Sequence, residues 1–447
     1  MDRRKRVRCL AVMAVLGTLG CGSSGATGTK GTPPPEAGGT GAFGIVSIGG
    51  HQKMYLPQQV YSSTTGNATI AVVDVGLVGN GVAGAPALIT TIDLGTTDLV
   101  TATGGDSSVV IGVSTYNNRV YFIDPSTDTV TKSITLAATY GTSSFSGGGG
   151  YVTGVAVDSS AGKAYLSVWD GFAVVDLGSQ TVVDNILVPP SENFGFDSVS
   201  ERLLAPFYGC TGATDPTGAP PPFCANYTDQ AGDEMDNGLN VIDLADNNTV
   251  YTYQDAQAAD PTAPLGDEPD SAAADPTTGK IVVPSEGELI QYVVDLSQAT
   301  FDKTKHAVTA PHITIDTSGA EEMTGVAIEP SSHIAFFESE GGDDMGAADL
   351  SKSTAAMSSY VHASMPTLPN DGSWSNVLDP HGIAVTTAIT GGDPVGFLVS
   401  EDYAWVARID LTKLLALPTT ASTSVPTELD IADASSAVTY LDATTKL

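Results

Sequence analysis

A recurring Val/Ile-Asp pair is the feature of this chain that most constrains its fold. Seven times, a β-branched or small apolar residue is followed by Asp and then usually by Leu. The aspartates are Asp74, Asp124, Asp176, Asp243, Asp295, Asp349 and Asp410, which lie 50, 52, 67, 52, 54 and 61 residues apart. A period of roughly 40–50 residues in a chain of short strands is typical of a propeller or solenoid, because each repeat is one supersecondary unit. The spacing therefore predicts a repeat architecture.

The third repeat shows what each unit contains. Its four β-rich runs, Gly154–Asp158, Ala164–Val168, Ala173–Asp176 and Thr181–Val183, are separated by Asp, Gly and Ser residues that favour tight turns. Four antiparallel strands make one blade, and seven blades closed in a ring leave only short, protected edges. The prediction is an all-β, seven-bladed β-propeller with four antiparallel strands per blade. A β-sandwich or two stacked β domains would also give regularly spaced strands, but would not require a sevenfold Asp motif.

One repeat carries a family resemblance. The run Asn117-Asn-Arg-Val-Tyr-Phe-Ile-Asp124-Pro-Ser-Thr-Asp-Thr-Val130 resembles a repeat of the YVTN-type seven-bladed propellers, in which a strand ending in Val/Ile-Asp precedes a Thr/Asn-rich turn. The resemblance spans about residues 43–447 and implies a propeller domain over that range. Propellers host binding, lyase, lactonase and oxidoreductase sites alike, so the resemblance does not select a function.

The N-terminus predicts export. A basic segment, Arg3–Arg8, precedes an apolar run of 12 residues from Cys9 to Gly20, which is too short to span a bilayer. Residues 1–20, followed by Cys21, resemble a bacterial lipoprotein signal, which implies lipidation of Cys21. The resemblance is imperfect, because Thr18 stands where that family favours Leu. An ordinary secretory signal, which would leave Cys21 as a free thiol, is the alternative.

The residues after Cys21 have the composition of a tether. Residues 21–42 are rich in Gly, Ser, Thr and Pro and contain almost no apolar side chains to bury, so a flexible linker is expected. The residue after the lipidated cysteine is Gly22 rather than Asp, which resembles the signal of lipoproteins that are sorted to the outer membrane. The predicted location is therefore the cell envelope, with a lipid anchor in the outer membrane on its periplasmic or surface side.

Two further cysteines form a predicted staple. Removal of the signal and lipidation of Cys21 would leave Cys210 and Cys224, and a disulfide is the default for an exported pair. The longest Asp-to-Asp spacing, 67 residues, contains this Pro-rich segment, so residues 210–224 are expected to form a loop inserted into the fourth blade. The disulfide either holds a binding loop in place or only keeps a Pro-rich loop ordered.

The charge of the chain disfavours one class of partner. It carries 18 basic and 51 acidic residues, and loss of residues 1–20 would leave a net charge of −37. Such a surface repels phosphate backbones, so no nucleic-acid partner is expected. The segments Asp229–Gly238 and Glu338–Asp344 are rich in oxygen ligands suited to Ca²⁺, but neither matches the D-x-[DN]-x-[DN]-G calcium loop. Solvated acidic loops are therefore the favoured interpretation.

Catalytic signatures are mostly missing from the sequence. There is no haem-attachment C-x-x-C-H, zinc-protease H-E-x-x-H, G-x-S-x-G elbow or P-loop. One G-x-G-x-x-G occurs at Gly79–Gly84, but the run Ala87–Asp93 after it predicts a strand rather than the helix that a dinucleotide site needs. This glycine-rich stretch is expected to be a turn within a blade.

The channel mouth gives the one candidate site. In a propeller, residues just before the innermost strands converge at the mouth of the central channel. The residues in question are Tyr151, Glu268, Asp270, Glu321, Glu322, Asp379 and His381. The stretch Asp379–Val385 resembles the channel mouth of metal-dependent lactonase and lyase propellers, which implies Glu268, Asp270, Glu322 and His381 as ligands of one divalent cation, Ca²⁺ or similar. The alternative is that the Asp-Pro and Glu-Pro pairs are ordinary turn dipeptides and that the His381 imidazole is hydrogen-bonded to a backbone carbonyl. In that case no cofactor binds.

Two functions therefore stand. The first is a monomeric envelope lipoprotein whose propeller binds an envelope protein or glycan without turnover and contacts the membrane only through its lipid. The alternative is a metal-dependent lactonase-like or lyase-like enzyme acting on a small neutral or cationic molecule at the channel mouth. A further hypothesis is that a strand at residues 43–50 closes the ring by joining the last blade.

Overall fold

The structure is a computed structural model, and it contains a ring of seven sheets. It describes residues 43–61, 65–77, 87–97, 100–114, 118–136, 154–168, 171–189, 191, 193–207, 237–255, 258, 263–266, 268–285, 290–316, 323–339, 344–352, 360–364, 380–386, 394–400, 405–416, 430–431 and 438–442. The signal, tether and cysteine predictions (residues 1–42 with Cys21, and Cys210 and Cys224) lie outside these residues.

The first three blades each use four consecutive antiparallel strands. Blade one has β1 (Gly44–Ile48), β2 (His51–Tyr61), β3 (Ala68–Leu77) and β4 (Ala87–Asp93). Blade two has β5 (Ala102–Gly105), β6 (Val110–Ser114), β7 (Arg119–Asp124) and β8 (Thr129–Thr135). Blade three has β9 (Val155–Asp158), β10 (Lys163–Val168), β11 (Gly171–Asp176) and β12 (Thr181–Leu187).

The remaining four blades have the same core of four antiparallel strands, and two of them carry additional strands at their outer edges. Blade four has β13 (Gly195–Asp197), β14 (Arg202–Phe207), β15 (Gly238–Asp243) and β16 (Thr249–Tyr253). Blade five has β17 (Ala273–Asp275), β18 (Lys280–Ser285), β19 (Ile290–Asp295) and β22 (His312–Asp316), interrupted by a hairpin of β20 (Thr300–Asp302) and β21 (Ala307–Thr309). Blade six has β23 (Met323–Glu329), β24 (Ile334–Ser339), β25 (Asp344–Asp349) and β26 (Tyr360–Ser364). Blade seven has β27 (Pro380–Val385), β28 (Val395–Ser400), β29 (Trp405–Asp410), the short helix α1 (Leu411–Leu415) and β31 (Val438–Asp442), with β30 (Asp430–Ile431) preceding β31.

Two blades gain extra strands from their successors. The blade-five strand β21 pairs in parallel with β16 of blade four, and the blade-seven strand β30 pairs in parallel with β26 of blade six. Parallel pairing at an outer edge covers backbone N–H and C=O groups that an exposed edge would leave unpaired. The outer edges of these two blades are therefore capped by their own chain.

The seven-bladed prediction is confirmed, and the Asp motif has a fixed place in it. Every motif aspartate lies in the third strand of its blade, six of them at its last residue. The side chain then folds onto the following turn: Asp124 Oδ1 accepts from the Ser126 backbone N–H at 2.8 Å, and Asp176 Oδ1 accepts from Ser179 N–H at 2.7 Å. The motif is thus a turn-forming device between the third and fourth strands.

Blades pack face to face, which explains why their inner strands read as continuous apolar runs. All five residues of β6 are buried, whereas the outermost strand β8 alternates between exposed and half-buried residues. The apolar clusters of the core each draw on two neighbouring blades. One of them joins Met54, Leu56 and Val73 of blade one to Phe397 and Val406 of blade seven. This cluster, together with contact between β1 and β27, closes the ring.

The hypothesis for ring closure was wrong. The strand β1 pairs with β2 inside blade one, and the fourth strand of blade seven is β31 from the end of the chain. Both termini of the propeller therefore complete their own blades, and the join between them is made by side-chain packing rather than by a shared sheet.

Strand direction gives the ring two distinct faces. We call the side at which the first strand of each blade begins the top face, and the side at which it ends the bottom face. Because successive strands are antiparallel, the connection from β14 to β15, residues 208–236, starts and ends at the top face, whereas the Asp motif turns lie at the bottom face. No helix in the described part of the chain has the length and apolarity to cross a bilayer.

Candidate functional site

The first strands converge around a cavity of about 190 Å³ at the top face. All seven blades contribute to its lining, including Phe43, Thr103, Val155, Phe194, Ser271, Val326 and Ile383. Five of these residues lie at or just before the beginnings of their first strands, and Val326 and Ile383 lie three residues into theirs. The predicted convergence of the strand starts is therefore present in the structure, and we call this feature the central cavity.

Glycines allow the first strands to approach closely around the cavity. A Cβ built on Gly104 of β5 would lie 2.6 Å from the Val155 carbonyl oxygen of the next blade. One built on Gly195 of β13 would lie 2.7 Å from the Ala272 carbonyl oxygen. Real Cβ atoms do not approach oxygen this closely, so only glycine fits these positions without a backbone shift. The narrow central space thus follows from the glycines in the sequence.

Hydrogen bonds between blades hold the cavity wall in place. Thr103 Oγ1 accepts from Gly44 N–H at 3.0 Å and donates to the Tyr55 carbonyl at 2.6 Å, which joins blades one and two. Ser167 Oγ donates to the Ser191 carbonyl at 2.8 Å, which joins blades three and four. Buried hydrogen bonds of this kind fix side-chain positions, because a broken one would leave an unsatisfied polar group.

The same pattern continues on the other side of the ring. Asn193 N–H donates to the Asp270 carbonyl at 3.3 Å between blades four and five. Ser271 Oγ donates to the Thr324 carbonyl at 2.7 Å between blades five and six. Hydrogen bonds thus join neighbouring blades at four of the seven junctions around the mouth of the cavity, which makes this surface preorganised.

The predicted ligands Glu268 and Asp270 lie at this mouth. Glu268 has a left-handed backbone conformation, with φ of 61°, and precedes Pro269, which bridges to Ser285 at the end of β18. Asp270 is buried, with 4% of its surface exposed, and directly precedes the cavity-lining residue Ser271. Both residues therefore lie a few residues before β17 of blade five begins, in the short segment that adjoins the start of β13 of blade four.

The other predicted ligands are only partly described. His381 lies in β27 next to the cavity-lining Gly382, but its side chain lies outside the described residues, as does Glu322 before β23. Tyr151, Glu321 and Asp379 also lie outside them. Within the described ranges, no three His, Cys, Asp or Glu side chains are grouped closely enough to hold a metal ion. The four-ligand metal site stays a prediction.

The structure adds Glu338, which sequence reasoning placed in a solvated acidic loop. That placement was wrong, because Glu338 lies in β24, lines the central cavity and is only 4% exposed. It is the register partner of Gly325 in β23, and a Cβ at that position would overlap its carboxylate. Because β24, the second strand of blade six, extends to Ser339, the acidic segment begins inside a strand rather than in a loop. A charged residue following two aromatic residues was the available signal.

A second concave feature lies at the rim. A groove of about 600 Å³ runs between β4 of blade one and the turn Thr127–Val130 of blade two. Only two blades line it. The central cavity, to which every blade contributes and which holds a buried carboxylate, is the better candidate site.

Comparisons with known proteins bear on the fold. No protein-family model and no curated protein matches the chain. Among solved structures, a chain of the complex of KlAtg21 with the coiled coil of AgAtg16 is 8% identical, with a TM-score of 0.50, over 90% of this chain and 98% of that chain. The WD40 domain of Toxoplasma gondii coronin is 9% identical, with a TM-score of 0.49, over 82% of this chain and 79% of that chain. At this identity, the likeness describes the propeller fold alone.

Proposed function

We propose that this protein is an exported, lipid-anchored envelope protein that binds an envelope protein or glycan through its top face without chemical turnover. The observation that carries the proposal is that seven first strands begin around one cavity on the same face as both ends of the 29-residue connection 208–236. A long connection on a rigid scaffold beside a cavity is a common arrangement for recognition. The Cys210–Cys224 staple would restrain this connection.

The proposed location depends on the N-terminal sequence. The basic segment, the apolar run, Cys21 and the Gly-rich residues 22–42 together support a tethered lipoprotein. A tether of this composition would let the propeller reach a partner at some distance from the membrane. Membership of the YVTN-type repeat group, suggested by Asn117–Val130, is part of the same proposal.

Acyl labelling tests the location. The full chain and a Cys21→Ala variant would be expressed in a two-membrane bacterium supplied with a clickable palmitate, and the membranes would then be separated. We expect label on the wild-type chain in the outer-membrane fraction and none on Cys21→Ala. Unlabelled wild-type chain, or equal label on both, would overturn the anchored part of the proposal.

A matched pair of variants tests the binding face. Asn193 is exposed at the cavity mouth just before β13, and Ser198 is exposed just after the same strand at the bottom face. We expect Asn193→Arg to abolish saturable retention of envelope protein or glycan by the purified chain, and Ser198→Arg to leave it unchanged. The reverse pattern would place the binding surface on the bottom face and overturn the proposal.

The metal-dependent lactonase or lyase is the second candidate. It is favoured by the position of Asp270, a buried carboxylate beside the central cavity. The predicted ligand Glu322 directly precedes β23 and the predicted ligand His381 lies in β27, and both strands also reach this cavity. Elemental analysis of the purified chain, with melting curves before and after chelation, separates the two. One tightly held divalent ion that is lost in His381→Ala would favour the enzyme. Weak ions whose removal leaves the melt unchanged would favour the binding protein.

A further inference from the structure

We propose that the central cavity receives an alkylammonium group. This inference rests on the proposed top-face binding function and names the chemistry of the group recognised there. Of the cavity-lining residues in the described part of the chain, Glu338 alone is ionisable. None of the described lining residues is basic, and the chain as a whole has a net charge of −33. The field around the site therefore favours a cation and disfavours an anion.

The burial of Glu338 makes this preference specific. Because Glu338 is only 4% exposed, its charge acts through the low dielectric of the protein interior, where the attraction between opposite charges is stronger than in water. Gly325 leaves room for the carboxylate at the cavity wall, because any side chain there would overlap it. The group is thus held in position by the neighbouring strand.

Two aromatic rings add a second attraction for a positive charge. Phe43 and Phe194 both line the cavity. The Phe194 ring packs edge-on against Phe172, with centroids 4.8 Å apart at 74°, so its position is fixed. A cation near the face of an aromatic ring is attracted by the ring quadrupole. A cavity lined by one carboxylate and two aromatic rings suits primary and quaternary ammonium groups.

The polar lining residues are compatible with a donor ligand. The Ser271 hydroxyl already donates its proton to the Thr324 carbonyl, so its oxygen is left to accept. Thr103 Oγ1 also donates its proton, to the Tyr55 carbonyl, and already accepts one hydrogen bond from Gly44 N–H. A primary ammonium group carries N–H donors and no acceptor, as a lysine side chain does, whereas a quaternary ammonium group carries neither and is held by its charge. Because both hydroxyl protons are already donated within the protein, neither hydroxyl can donate to a carboxylate ligand, and a cationic ligand is favoured.

The cavity volume limits the size of the group. At about 190 Å³, it is smaller than the roughly 300–1,000 Å³ typical of pockets for drug-sized ligands. A head group such as choline, or the end of a lysine side chain, fits this space, whereas a whole oligosaccharide does not. A larger partner would therefore place only its ammonium group in the cavity.

Calorimetric titration of the purified full chain tests the inference. The probes are choline, n-butylammonium and 3,3-dimethylbutanol, the last being a neutral isostere of choline. We expect one site for at least one of the two cations, with a Kd on the order of 1 mM, and at least tenfold weaker binding of the alcohol. Choline binding alone would identify a methylated head group, and butylammonium binding alone would identify a primary amine. Equal binding of the alcohol, or no binding of either cation, would overturn the inference.

A variant pair assigns the effect to Glu338. Glu338→Gln keeps the size of the side chain and should weaken cation binding at least tenfold. Glu329→Gln is the control, because Glu329 is 1% exposed and lies at the bottom end of the same blade, where it accepts from Ser331 and Ser332. Unchanged binding in Glu338→Gln, or equal loss in both variants, would overturn the assignment. If the cations fail while Asn193→Arg still abolishes retention, this inference is wrong and the proposed function stands.

Discussion

The Tyr55 hydroxyl donates to Asp128 Oδ1 at 2.6 Å, which joins the second strand of blade one to the outer turn of blade two. Lys53 Nζ pairs with the other carboxylate oxygen of Asp128 at 2.7 Å and donates to the Pro125 carbonyl at 2.9 Å. Burial, together with the hydrogen bond to Asp128, holds the pKa of Tyr55 well above its ordinary value. Asp128 is thus a polar link between blades one and two, at the opposite face of the ring from the hydrogen bonds of Thr103.

Loss of this link should destabilise the ring at this junction. We expect Asp128→Asn to lower the free energy of unfolding by about 2 kcal/mol, because it removes the partner of a mostly buried lysine. Urea denaturation of Asp128→Asn, Tyr55→Phe and the double variant measures the coupling, which we expect to exceed about 0.5 kcal/mol. Strictly additive losses would show that the two side chains do not act together.

The close approach of first strands gives a second prediction. Gly104→Ala should lower the free energy of unfolding by about 2 kcal/mol, because the new methyl group meets the Val155 carbonyl oxygen of the next blade. Gly178→Ala is the matched control: its nearest neighbour would be Asp176 Oδ1 at 3.6 Å, an ordinary contact. We expect the control to change stability by less than about 0.5 kcal/mol. Equal effects in the two variants would contradict the packing account.

The pH dependence of stability should have a contribution from Asp275. Burial disfavours ionisation of this carboxyl, but hydrogen bonds from Thr277, Thr278 and His333, at 2.6, 2.7 and 2.8 Å, outweigh it and hold its pKa below the usual value. The ionised group therefore contributes stability above about pH 4, the ordinary range of an aspartate, and this contribution is lost as pH falls through the lowered pKa.

Melting curves of Asp275→Asn across pH test this sign. The variant should melt well below the wild type at pH 7, and the difference should shrink as the pH falls from about 4 to 3. A difference that stays constant over that interval would mean that ionisation of Asp275 does not support the fold.

The hairpin that caps blade four provides another junction to test. The Phe301 ring packs edge-on against Tyr251, with centroids 4.9 Å apart, and Arg202 Cζ lies 4.5 Å from the Phe301 centroid. We expect Phe301→Ala to cost about 2 kcal/mol in urea denaturation, and Phe301→Leu to cost less, since it keeps apolar contact but loses the ring. Equal stability of Phe301→Leu and the wild type would show that the aromatic contacts contribute nothing.

Local sequence was enough to predict the blades because their turns are encoded locally. Asp124 and Asp176 bond to backbone N–H groups two or three residues ahead, so the same short motif can repeat along the chain. The run Ala87–Asp93 is a strand, as predicted from its composition, and the Gly79–Gly84 stretch connects it to its antiparallel partner β3.

Features that depend on distant neighbours could not be predicted in this way. Glu338 is buried because Gly325, its partner across the sheet, leaves space for it, and that pairing is not visible in the acidic run around it. The partner of β1 was misjudged for a related reason, because strand composition does not determine which terminal blade a strand completes. Long-range register decides both.

Photo-cross-linking in intact cells tests the central claim most directly. A photoreactive amino acid would replace Asn193 at the top end of β13, or Ser198 just beyond its bottom end, in the full chain. The account predicts a discrete, saturable adduct with an envelope component from position 193 and none from position 198. Adducts from position 198 alone, or equal adducts from both positions, would contradict recognition through the top face.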